Sequence, residues 1–246
     1  MAFSEVFLRT DPVPVGFRSD DLIHLNRVVG SGPGIQEQMT SAFDTLIMAV
    51  EGVGASIDNI AQVSIFVRDR EHLRAINPVW VELFPDSDDR PTYKFMVTDL
   101  PGGELVQLEA FAVMGAHRRV LQIPKVAHTN PIPMGVRIGS WLFSSRVLPY
   151  DPATGKAADG PGRQTECLFH NVRALLDAGE VRPEHITQGR LFLADPSSQG
   201  NAVQRWNELI AGAKERPALH VTPYGQGTQL LVMLEVIAQA DQEVRK

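Results

Sequence analysis

The chain has 246 residues, 43% of them hydrophobic and 21% charged, with a formal net charge of −6. This composition excludes wholesale disorder and low-complexity architecture, and the acidic balance disfavours a polyanion such as nucleic acid as partner. A prior of about 100–150 residues per domain predicts roughly two domains.

The expected elements follow in chain order. Leu22–Val29 reads as an apolar strand, and Met39–Gly52 as an amphipathic helix with Phe43, Leu46, Ile47 and Val50 on one face. Ile60–Val67 alternates as a strand. His72–Phe84 is a helix carrying Leu73, Ile76, Trp80 and Leu83 together, and Tyr93–Val97 and Leu105–Val113 close the set as strands. A second series comprises a strand at Trp141–Leu148, a helix at Cys167–Leu176, a strand at Ile186–Leu193, a helix at Gln199–Ala213, and strands at Leu219–Pro223 and Gln229–Ala238. No apolar run reaches the ~20 residues of a membrane span, and Met1-Ala-Phe-Ser-Glu-Val is not the start of a basic-then-apolar leader. The expectation is a soluble, cytoplasmic protein with no membrane partner.

The two series are copies. A shift of 126 residues superposes Gln38 on Gln164, Phe66 on Phe192, Trp80 on Trp206, Arg90-Pro91 on Arg216-Pro217 and Leu108-Glu109 on Leu234-Glu235. Nearer the start the shift is 119, so that Pro12, Pro14, Gly16, Arg18, Arg27 and Val28 meet Pro131, Pro133, Gly135, Arg137, Arg146 and Val147. The difference marks one insertion, the turn-rich stretch around Tyr150–Lys156. The division expected is domain 1 at 1–116, a linker at 117–126 with His117-Arg118-Arg119 as a solvated basic cluster, and domain 2 at 127–246. Two helices cover only one face of each sheet, so the other face demands a second layer.

The motifs that carry chemistry are few. No His-x-x-x-His or Cys-x-x-Cys spacing occurs among the seven histidines and single cysteine, so no metal site or cofactor is expected. Cys167 falls on the apolar stripe of its helix and reads as a core thiol. Gly30-Ser-Gly-Pro-Gly34 is a tight turn, not a phosphate cradle.

Gln38, the stretch 52–69 (Gly-Val-Gly-Ala-Ser-Ile-Asp-Asn-Ile-Ala-Gln-Val-Ser-Ile-Phe-Val-Arg-Asp), Leu100-Pro101 with 105–113, and the second-copy stretch 144–155 resemble the Rid/YjgF family of reactive-intermediate (enamine/imine) deaminases. The resemblance implies two tandem chorismate-mutase-like (YjgF-type) α/β (α+β) domains, each a mixed sheet with two helices on one face. It also implies a homo-oligomer, a trimer forming a pseudo-hexamer of domains, with small carboxylated metabolites bound in inter-domain clefts. In that family an arginine holds the substrate carboxylate and a glutamate positions water. A guanidinium fixes a planar carboxylate through two parallel bonds, and imine hydrolysis needs a proton shuttle. Here Arg90-Pro91-Thr92-Tyr93-Lys94 and Arg216-Pro217-Ala218-Leu219-His220 lack that arginine, and Gln107 and Met233 stand where the glutamate would be.

Replacements are available in the sequence. Arg27 and Arg146, preceded by Asn26 and Ser145, occupy matching positions after the first strand of each copy and are the candidate anion-binding cations. They are equally readable as interface or surface salt-bridge residues. Glu109 and Glu235 lie two residues, about 6–7 Å, along the same strand face from the vacated glutamate positions. They are the candidate acid/base groups, or structural glutamates. Lys94 and His220 are repeat-mates: Lys94 is a candidate substrate contact and His220 a candidate catalytic base. Tyr93, Phe17 and Gln107 complete the expected substrate wall, the two aromatics being readable as core instead. The function expected is a Rid-like hydrolase or deaminase of a small carboxylated imine or enamine. The alternative is a non-catalytic Rid-like protein that binds a small anion or serves as an assembly subunit.

Overall fold

The structure, a computed structural model, describes residues 3–8, 13–225 and 228–241; Pro12 of the repeat lies outside them. The chain divides into two compact units, 1–119 with 130–132, and 120–129 with 133–246.

In the first unit the order is β1 (Phe3–Val6), β2 (Gly16–Ser19), β3 (Leu22–Val29), α1 (Ile35–Gly52), β4 (Ile60–Val67), α2 (Ile76–Leu83), β5 (Thr92–Val97) and β6 (Val106–Val113). Its sheet runs β1-β2-β3-β6-β4-β5, with β4 and β5 parallel and the other pairs antiparallel. The second sheet, of β7 (Arg118–Leu121), β8 (Gly135–Ile138), β9 (Trp141–Ser144), β10 (Ile186–Leu193), β11 (Ala218–Pro223) and β12 (Val232–Gln239), has the matching order β11-β10-β12-β9-β8-β7. It is accompanied by α3 (Gly160–Ala178) and α4 (Gln199–Leu209). Each unit is thus an α+β domain with a mixed six-stranded sheet.

Both helices of a unit pack on the same sheet face. In the first, Phe43 and Leu46 of α1 and Val79 and Trp80 of α2 share one buried cluster with Ile23 and Leu25, Val63 and Ile65, and Leu108 and Ala110. Leu168, Leu175 and Trp206 do the same in the second with Leu191, Leu234 and Val236. Alternate residues of the central strands therefore point away from the helices, and that second face holds the polar residues of interest.

The repeat explains details that composition does not. The Gln38 amide donates to Gly32 O (3.1 Å) and Gly103 O (3.2 Å) and accepts from Leu105 N, tying the start of α1 to the approach of β6. Gln164 ties α3 to β12 through Ala158 O, Gln229 O and Leu231 N. Gly16 and Gly135 are matched because a Cβ at Gly16 would strike the His24 carbonyl, and one at Gly135 would lie 3.1 Å from that of Phe143. Backbone crowding at the same hairpin is what both copies avoid.

Several boundaries depart from the sequence reading. The helix expected at His72–Phe84 is a 3-10 segment at Arg70–Ala75 followed by α2. Pro78 has no N–H to donate to Arg74, so the α pattern starts late; Gln204 stands at the matching place and α4 runs unbroken from Gln199. The strand expected at Trp141–Leu148 stops at Ser144. The short strands β1, β2, β7 and β8 are too brief to show a period. The segment 117–126, expected as a linker, contains β7, and Arg118 is 8% exposed rather than solvated. Its guanidinium donates to Ile57 O (2.7 Å), Ile60 O (3.0 Å) and Asp89 O (2.9 Å) and pairs with the Asp89 carboxylate at 2.9 Å.

Candidate functional site

The arginines that match in sequence sit on matching irregularities. Leu25 pairs with Ala110 and Val28 with Leu108, so Asn26 and Arg27 form a β-bulge opposite Glu109. In the second copy the Ser144 hydroxyl accepts from Val236 N (2.7 Å) and Val147 bridges Leu234, leaving Ser145 and Arg146 as two residues opposite the one Glu235. A bulge leaves its extra residue outside the ladder and re-aims its side chain.

The two arginines are aimed differently. Arg146 is buried, its Nε 3.2 Å from Glu235 Oε1, with side-chain exposures of 10% and 5%. Its Cζ lies 4.3 Å from the Phe192 ring centroid and 5.3 Å from that of Tyr224, cation–π distances. Arg27 is 60% exposed and turns to Glu104, at 2.6 Å. Leu230 replaces Glu104 in the second copy and Thr98 replaces Tyr224 in the first, so each guanidinium follows the partner its own copy supplies.

Strand register places the remaining residues. Arg190 of β10 pairs directly with Glu235 of β12 on one side and His220 of β11 on the other, so Glu235, Arg190 and His220 form one row on the face away from the helices. Residues directly opposite have Cβ atoms about 4.5–5.5 Å apart. Arg146 reaches into this row from the bulge, and an apolar row of Met233, Phe192 and Thr222 adjoins it. The corresponding rows of the first unit are Glu109, Ser64 and Lys94, and Gln107, Phe66 and Met96.

Behind the second bulge, the His128 ring Nε2 lies 2.7 Å from the Ser145 hydroxyl, which donates to Met134 O at 3.0 Å. Burial, reinforced by the nearby Arg146 charge, pushes the His128 imidazolium pKa down to about 4. The ring is therefore neutral at neutral pH, and with Ser145 donating to the carbonyl it donates its own N–H to Ser145.

The expected site residues are brought together unevenly. Arg146, Ser145, Glu235 and His220 fall in one neighbourhood, His220 on the exposed edge strand. Lys94 and Glu109 share a row in the first unit, with Gln107 in the row beside it and Asn26 exposed at the bulge. Tyr93 does not belong with them, because alternation sends it to the helix side while Lys94 points the other way. There it packs edge-on to Trp80 at 4.9 Å and donates its hydroxyl to Asn77. Burial raises the Tyr93 pKa well above its usual value. Phe17 belongs to an aromatic ladder on the away face, 5.1 Å from Phe3 and 5.2 Å from His24, which stacks on Phe111 at 4.3 Å. Burial first, and the Lys94 charge second, lower the His24 pKa.

Sequence reasoning missed Arg190, His128, Phe192 and Tyr224. Arg190 was legible as the repeat-mate of Ser64, a serine replaced by a cation in mid-strand. His128 carried no signal, since it meets Ser145 only through the folding of residues 120–129. Cys167 is buried and its thiol pKa raised by burial, as fits a core position. Among the described residues, no group of three or more His, Cys, Asp or Glu side chains is placed to hold a metal ion, and no helix is long and apolar enough to cross a membrane.

The protein-family model described as endoribonuclease L-PSP matches residues 23–114 and 125–239. A 2-iminobutanoate/2-iminopropanoate deaminase of Salmonella typhimurium is 30% identical over 69 residues, 28% of this chain and 54% of that protein. The match thus spans about half the length of that relative. A RutC family protein of Aquifex aeolicus is 26% identical over 105 residues, 41% of this chain and 81% of its own. Among solved structures, a YjgF/YER057c/UK114 family member from Mycobacterium tuberculosis is 24% identical, covering 46% of this chain and all of that one at a TM-score of 0.42. The yjgF gene product of E. coli is 18% identical over 49% of this chain and 98% of its own, with a TM-score of 0.44. With one family match in each half and most of the sequence inside the two, this chain belongs to the endoribonuclease L-PSP family, the Rid/YjgF family of the sequence motifs, as a two-copy member.

Proposed function

We propose that the protein is a Rid-like hydrolase that releases ammonia from a small carboxylated imine or enamine, using the away face of the second sheet. The observation that carries this reading is the buried Arg146–Glu235 pair at 3.2 Å, in a row with a second guanidinium and an imidazole. Hydrolysis adds a water oxygen to the imine carbon, moves protons from that oxygen to nitrogen, and expels ammonia to leave a 2-oxo acid. Glu235 is the group that would orient the water and relay its proton. A carboxylate offers about four acceptor positions, and the Arg146 Nε takes one of them at 3.2 Å. Arg146 in turn fixes the position of the Glu235 carboxyl through its Nε contact. His220, on the edge strand, is placed to exchange protons with solvent. The distant likeness to the Salmonella deaminase supports the substrate class.

One observation favours a second reading, a binder without chemistry: the family's arginine is absent from both copies, and Met233 and Gln107 stand at its glutamate positions. The test is ammonia and 2-oxo acid release from freshly generated 2-iminopropionate. The hydrolase reading expects acceleration over buffer, with a loss of at least about tenfold in Glu235→Gln. No acceleration from a protein whose melting temperature still rises with carboxylates would replace it with the binding reading.

A further inference from the structure

Arg190 is half-buried on β10, and among the described residues its guanidinium has no hydrogen-bond or ion-pair partner. That is unusual for its setting. Glu235 sits directly opposite on the neighbouring strand, yet the contact it makes at 3.2 Å is with Arg146. His220 flanks Arg190 on the other side and adds no negative charge. The row therefore gathers two guanidiniums against one carboxylate, and one of the two is already engaged by Glu235 and two aromatic rings. A partly desolvated guanidinium, with five donors in a planar fork, is matched by a planar two-oxygen anion. The first unit has no such surplus: in its row Ser64 holds the matching place, the one cation Lys94 stands against the one carboxylate Glu109, and Arg27 is turned to Glu104.

We infer that Arg190 is the residue that takes the carboxylate of a small ligand, with His220 as a flanking donor, and that this anion site exists in the second unit alone. In the adjoining row Phe192 and Met233 are buried, Phe192 beneath Arg146, so Thr222 on the edge strand is the member left to border the rest of the ligand. A single guanidinium beside so small a border favours a short monocarboxylate, a 2-oxo or 2-imino acid, over a polyanion. The inference deepens the proposed function and rests on it for the ligand's class.

The experiment measures pyruvate binding to the full chain by titration calorimetry at low salt, with sedimentation velocity on the same samples. Arg190→Ala is expected to weaken binding about 10- to 100-fold. Arg190→Gln, which keeps the stem and loses the charge, should do the same and covers the case in which alanine disturbs folding. Arg205→Ala, removing an exposed helix arginine of the same unit, should leave affinity unchanged. Unaltered affinity in both Arg190 variants, or no binding by the parent protein at millimolar pyruvate, overturns the inference. So does a change of assembly state with affinity intact, which would mean that the guanidinium serves a carboxylate of a second copy. Arg190-dependent binding without ammonia release from the imine sinks the hydrolase reading and leaves the anion site standing.

Discussion

Arg146 is held 3.2 Å from Glu235 and under the rings of Phe192 and Tyr224, whereas its repeat-mate Arg27 reaches outward to Glu104. One duplicated bulge thus presents a buried ion pair in one copy and a surface one in the other. The two pairs should respond very differently to mutation. Truncating one partner of a buried pair strands the other charge, so Arg146→Ala should destabilise the protein by about 3–5 kcal/mol. The joint variant Arg146→Met with Glu235→Leu should recover much of that loss. Arg27→Ala should cost less than about 1 kcal/mol. Denaturant melts of the three variants measure the difference, and equal losses from both single arginine variants would contradict the assignment.

Acid should weaken the second unit through His128. Its native pKa of about 4 lies below the ordinary 6.5, so the unfolded chain takes up the proton first as pH falls. Stability contributed by the neutral ring is complete above about pH 6.5 and drains away down to about pH 4, by as much as roughly 3 kcal/mol. His128→Gln should show a flatter stability profile over that window. A parent profile with no slope between those values would refute the role given to the buried ring.

Arg118 should prove structural. It satisfies carbonyls at Ile57, Ile60 and Asp89 simultaneously, and a lysine ammonium cannot reproduce the planar fork. Both Arg118→Ala and Arg118→Lys are expected to cost about 2–4 kcal/mol, read as a fall in denaturation midpoint. Full rescue by lysine would show that charge alone matters there.

Tyr93→Phe should leave ligand affinity unchanged, since the hydroxyl bonds Asn77 on the helix side of the sheet. Its stability cost should be about 1 kcal/mol, that of one hydrogen bond. A loss of pyruvate binding in this variant would put Tyr93 back on the substrate wall.

The difference between Tyr93 and Lys94 shows where pattern reading stopped. Both fall in the stretch singled out by the family resemblance, but in a strand neighbours point to opposite faces, and which face each would join was not written in the local sequence. Likewise, Arg27 and Arg146 are indistinguishable as letters. Their partners, Glu104 against Tyr224 and Glu235, come from strands and loops tens of residues away.

Internal repetition by itself determined the two α+β units, the order of their helices and main strands, and the matched placement of Gln38 with Gln164 and Glu109 with Glu235. Such features follow from hydrophobic period and constant offset, which are local and readable. Only the tertiary structure decided that Arg190 would stand beside Glu235 with no partner among the described residues, that His128 would be buried against Ser145, and that the basic cluster at 117–119 would hold a core arginine. Strand register and burial are set by contacts between distant segments, and a side chain's charge state and partner follow from that assembled environment rather than from its neighbours in the chain.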